Sequence, residues 1–139
     1  MKRIVIVLLS INLIFSCVLG IVLFRIYYVQ PDGTITQYVM YVGTNDKDTY
    51  EQIISTDDAK AVIDTACQKY LEEYTLQEAV GSWVDEKGIV THEETIICIF
   101  DSASEEEVYA VADEVIKELN QNTVLIEKSS VRMDFYGGN

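Results

Sequence analysis

The side chains best suited to chemistry are few and scattered along the chain. His92 is the single histidine, and Glu93 and Glu94 follow it. These residue types bind divalent ions when they converge on one point. Successive side chains of a strand point to opposite faces, so His92 and Glu93 diverge, and His92 reads as an exposed hairpin residue. Asp46-Lys47-Asp48 begins like a calcium loop, but Tyr50 takes the next ligand position and the required glycine is missing. Cys17, Cys67 and Cys98 form no C-x-x-C pair. Cys67 and Cys98 read as buried thiols, with a bridge between them as the alternative outside the cytoplasm. No Ser or Cys has an identifiable base for nucleophilic catalysis, and no glycine loop is built to cradle phosphate. No metal or cofactor is therefore expected. Trp83, the single tryptophan, is left as the best candidate for recognition, with packing in the core or hairpin as the plain alternative.

The elements that carry these residues follow from pattern. Gln37-Tyr38-Val39-Met40-Tyr41-Val42-Gly43 is rich in β-branched and aromatic residues and reads as a strand. Ser55-Thr56-Asp57-Asp58 opens a helix. Ala59, Val62, Ile63, Ala66, Tyr70 and Leu71 then fall on one helical face, and the helix is expected to end near Glu72. Thr75 to Val84 and Ile89 to Asp101 form a hairpin about Asp85-Glu86-Lys87-Gly88. Ser104-Glu105-Glu106-Glu107 fits a capping box, and Val108, Val111, Ala112, Val115, Ile116 and Leu119 continue at helical spacing. Thr123 to Glu127 and Val131 to Tyr136 are strand-like, with a turn or bulge at Lys128-Ser129-Ser130. The order is βαββαβ, which predicts an α+β fold: a ferredoxin-like antiparallel sheet with two helices on one face.

The N-terminal stretch Ile4 to Phe24 holds no charged residue. At ~1.5 Å per residue a helix of this length spans roughly 30 Å, the thickness of a bilayer's hydrocarbon core. Residues 1–29 read as an uncleaved transmembrane signal anchor, 30–37 as a short linker containing Pro31, 38–136 as the domain and 137–139 as a disordered tail. Lys2 and Arg3 precede the span, which favours a cytoplasmic N-terminus and an extracytoplasmic domain at the cell membrane. Ile14-Phe15-Ser16-Cys17 offers the alternative of a cell-envelope lipoprotein lipidated at Cys17. The chain carries a net −13, and Lys2, Arg3 and Arg25 are the only charges before Gln30, so the remainder carries −16. Such a charge excludes nucleic acid as a partner.

Both central strands are apolar on both faces, at Tyr38-Val39-Met40-Tyr41-Val42 and Ile96-Ile97-Cys98-Ile99-Phe100. Two helices cover one face only, so the other is expected to meet a second copy, an envelope protein or an apolar ligand; a fold-back of the linker or C-terminal segment is the alternative. Tyr38, Tyr41, Trp83 and Phe100 are expected to line that helix-free face. Gly81-x-Trp83-x-Asp85-x-x-Gly88-x-Val90, then Glu93 or Glu94, Thr95 and an apolar strand, resembles the second half of a bacterial family, domain of unknown function family 3574. The resemblance extends over roughly Tyr38 to Tyr136, including Gly43 and Tyr74-Thr75-Leu76. The chain departs from the family at Lys69 to Thr75, where the family has an arginine and a Phe-Pro-Asp-Gly turn. The resemblance implies small exported or anchored proteins with an α+β sandwich and no agreed activity. The sequence thus points to binding or assembly rather than catalysis, with a small enzyme or carrier using an apolar pocket on the same face as the alternative.

Overall fold

The computed structural model describes residues 13–24, 33–84 and 88–138. They divide into two units, one of the described residues 13–24, 33–34 and 134–138, the other Ile35–Met133 without 85–87. In the first, residues 13–24 form a helix, α1. Leu13, Ile14, Phe15, Val18, Leu19, Ile21, Val22, Leu23 and Phe24 are all exposed on it. No helix among the described residues is long and apolar enough to cross a membrane. Residues 1–12 and 25–29 of the expected anchor lie outside the described residues, as do 30–32 of the expected linker, which include Pro31.

The second unit holds, but for the first residue of β1, the elements β1 (Thr34–Gly43), α2 (Thr56–Tyr70), β2 (Thr75–Val84), β3 (Val90–Phe100), α3 (Glu105–Glu118) and β4 (Leu125–Arg132), in that order. The four strands form one sheet in the order β2-β3-β1-β4. β1 and β2 both run antiparallel to β3. This is the ferredoxin-like arrangement. Both helices start where their sequences place caps. Ser55 accepts from the Asp58 backbone N–H at 3.1 Å, and Ser104 and Glu107 form a full capping box. Each such cap contributes about 1 kcal/mol.

The core lies between the helices and one face of the sheet. Met40, Val42, Ile96, Cys98 and Phe100 pack with Ala59, Ile63, Ala66 and Cys67 of α2 and Val108, Val111, Ala112 and Val115 of α3. Fully burying a side chain of this size stabilises by roughly 1.5–3 kcal/mol. Lys69 Nζ meets Glu114 Oε2 at 2.7 Å, joining α2 to α3.

Several elements differ in extent from expectation. β1 begins at Thr34, so residues 34–37 are strand rather than linker; the β-branched Thr34-Ile35-Thr36 extends the ladder. α2 ends at Tyr70, because Leu71 turns to extended backbone. β4 runs unbroken through Lys128-Ser129-Ser130. An edge strand needs one neighbour only, and polar side chains there are simply solvated. It stops at Arg132, short of the expected Tyr136. The hairpin turn at residues 85–87 and Asn139 of the expected tail lie outside the described residues.

Candidate functional site

The register decides which expected recognition residues share a face. Tyr38 pairs with Phe100, Met40 with Cys98 and Val42 with Ile96. Tyr38 is 4 % and Phe100 0 % exposed, both inside the core cluster. They face the helices, which corrects their placement on the helix-free face. A strand apolar on both sides gives no parity signal, so its pattern leaves open which set turns inward. Tyr41 and Trp83 do lie on the helix-free face. There Val39, Tyr41, Ile97 and Ile99 are half-buried, and Leu125 of β4 is exposed.

The rim of this face is acidic. Tyr41 donates its hydroxyl to Glu127 at 3.2 Å, and exclusion of water together with Glu127 pushes the phenol's pKa up. Gln37 donates to Asp101 at 2.6 Å. Glu93 completes the rim. β1, β2 and β3 contain no lysine or arginine, and Lys128 of β4 turns to the helix side, where it pairs with Glu105.

At one end of the face lies an open hollow of about 720 Å³. Trp83, Thr91 and Glu93 supply its sheet side, Asn45, Asp46, Lys47 and Tyr50 one wall, and Gln121, Asn122 and Thr123 the other. Two glycines shape the sheet side. A Cβ on Gly43 would collide with the Glu93 carboxyl, at 2.7 Å from its Cδ. A Cβ on Gly81, which pairs with Glu93, would stand 2.7 Å from Thr95 Oγ1. Glu93 therefore lies in a trough opened by a missing side chain on each neighbouring strand.

Asp46 joins the two walls. Its carboxylate accepts from the Asp48 and Thr49 backbone N–H groups at 2.9 and 3.0 Å, and from Asn120 Nδ2 at 2.7 Å. The Asn120 bond first, then the backbone donors, hold the carboxyl at about 2, below the ordinary 3.8. Gln121 Nε2 adds a bond to the Asn45 carbonyl at 2.8 Å. The calcium-like start is thus a turn organised around the Asp46 carboxylate. Asp48 likewise accepts from Asn120, at 2.8 Å. His92 lies with its Nδ1 2.7 Å from Ser82 Oγ, on the opposite face from Glu93. Cys67 and Cys98 are free and buried. Burial pushes the Cys67 thiol up to about 12 and raises that of Cys98 as well.

Glu93 and Tyr50 were not singled out by the sequence as recognition residues. The available signal was the pair Gly43 and Gly81, since an isolated glycine in a strand marks a close approach.

The fold and this face define an α+β domain of ferredoxin-like class with one open sheet face. No family model and no curated protein matches the chain. Among solved structures, a phage SAM lyase in complex with S-methyl-5'-thioadenosine is 18% identical, with a TM-score of 0.52 over 79% of this chain and 98% of that one. The same enzyme in its apo state is 19% identical, with a TM-score of 0.50 over 77% and 96%. A duf3240 family protein from Shewanella baltica is 12% identical, with a TM-score of 0.45 over 75% and 98%. At these identities the likeness to the lyase is one of fold.

Proposed function

We propose that this is a membrane-anchored extracytoplasmic binding module that docks a protein through the helix-free sheet face. The observation that carries the reading is the row Val39, Tyr41, Ile97 and Ile99, left half-open on the two central strands. Among the described residues of the unit, no element packs over it. An apolar face on a small domain marks an interaction surface. Its rim favours a partner with an apolar centre and basic surroundings over a second copy, which would set Glu93, Asp101 and Glu127 against like charges. The anchor reading draws on the uncharged run Ile4 to Phe24 and on α1, which is apolar all round, as a helix in lipid is. The resemblance to domain of unknown function family 3574 agrees with an exported or anchored protein. Lipidation at Cys17 remains the alternative attachment, and intact mass of the membrane form separates the two.

The test is native mass spectrometry of the full chain extracted from its own membranes, beside an Ile97→Lys variant. The expected result is a co-purifying basic protein that the variant loses while keeping its fold, with weaker association at high salt. A homodimer lost in the variant would move the reading to self-association. A wild-type chain that is monomeric and empty refutes it.

A further inference from the structure

We propose that the hollow beside Glu93 is a binding site for an organic cation, an alkylated ammonium or a guanidinium group. This needs only the hollow and stands whether or not a protein docks on the rest of the face. Among the described residues, the Glu93 carboxylate makes no hydrogen bond or ion pair. Five lysines of the unit are already placed beside other acids: Lys47 with Asp48, Lys60 with Glu78, Lys69 with Glu114, Lys117 with Glu118 and Lys128 with Glu105. Lys47 lines the hollow, yet its ammonium is 3.7 Å from Asp48. An unpaired carboxylate in a trough made by Gly43 and Gly81 is thus the charge that a ligand meets there.

Aromatic rings complete the cation chemistry. Trp83 lines the same hollow at 44 % exposure, and Tyr50 opposite it is 69 % exposed. Tyr50 has a backbone φ of 58° and donates its N–H to the Asp46 carbonyl at 2.8 Å. That left-handed conformation is uncommon for a bulky residue and is held here by the loop. A hollow lined by a carboxylate and two aromatic side chains suits a cation with apolar substituents. A bare divalent ion fits poorly, since no three metal-binding side chains converge among the described residues. Anions are repelled by the net charge of the domain.

Trp83 is the only tryptophan of the chain, so the intrinsic fluorescence of the full chain in non-ionic detergent reports this site. Choline, ethylguanidinium and butylammonium are titrated beside dimethylbutanol, the uncharged isostere of choline. The expected result is a saturable change with at least one cation and about tenfold weaker binding, or none, for the isostere. Glu93→Gln should weaken the cation by about tenfold as well. Preference for choline points to a free quaternary amine, and preference for the other two to a partner's Lys or Arg side chain; either supports the site. An isostere as strong as choline, an unchanged affinity in Glu93→Gln, or a non-saturating response to all three cations overturns it. Should Glu93→Gln fail to fold by circular dichroism, the wild-type contrast between choline and its isostere decides alone.

Discussion

Ile96 and Ile97 are neighbours in sequence and lie on opposite faces of β3. Ile96 is fully buried under the helices, whereas Ile97 is half-buried on the open face. The same substitution at both positions therefore separates the core from the open face. Ile96→Lys removes a buried side chain worth about 2–3 kcal/mol. It also places an ammonium in the core cluster beside its pairing partner Val42, where an unpaired charge costs several kcal/mol more. The sum of 5 kcal/mol or above consumes most of the ~5–15 kcal/mol that stabilises a typical domain. Ile97→Lys loses part of one side chain's burial, about 1 kcal/mol, and its ammonium reaches water. For a domain of this size 1 kcal/mol shifts Tm by about 4–8 °C. Thermal melts followed by far-UV circular dichroism on the full chain should show Ile97→Lys melting within about 10 °C of wild type and Ile96→Lys without a cooperative transition. Equal melting temperatures for the two variants would refute the face assignment and, with it, the proposed docking surface.

Three further outcomes follow from the same geometry. Gly81→Ala should destabilise by about 1–3 kcal/mol, because the β-branched Thr95 cannot retreat from the new methyl group; urea melts with an unchanged midpoint would count against the trough. Asp46 is held at about 2 against an ordinary 3.8, so its contribution is complete above about pH 4 and is lost as the pH falls towards 2. Asp46→Asn should accordingly melt below wild type at neutral pH, with the gap closing in acid, and a gap independent of pH would contradict the clamp. Cys67 and Cys98 should resist a thiol reagent at pH 8 in the folded chain and react once urea unfolds it; fast labelling of both in the native state would place them outside the core.

Much of the architecture is legible in the sequence because it is carried by local signals. Ser55 and Ser104 cap their helices where expected, and Thr75 to Val84 is the strand its composition indicates. The face of β1 and β3 is not legible in the same way. Tyr38-Val39-Met40-Tyr41-Val42 offers two apolar sets of similar size, and only the register against β3 and the helices above it selects Tyr38, Met40 and Val42. The hollow is also hidden, since its walls come from loops far apart in the chain. Asp46 and Asn120 are 74 residues apart and meet through one hydrogen bond. Each reads in sequence as an ordinary turn residue. The glycines at 43 and 81 carry a trace of the site, but only the fold shows that the carboxyl accommodated between them belongs to Glu93.

β1 sits between β3 and β4, and it is the first strand after the N-terminal segment. Any tension transmitted through residues 1–33 enters the domain at an interior strand. A pull along such a strand loads the hydrogen bonds on both its sides together, in shear, whereas an edge strand would peel away bond by bond. A force applied at Thr34 would thus have to part β1 from β3 and β4 at once.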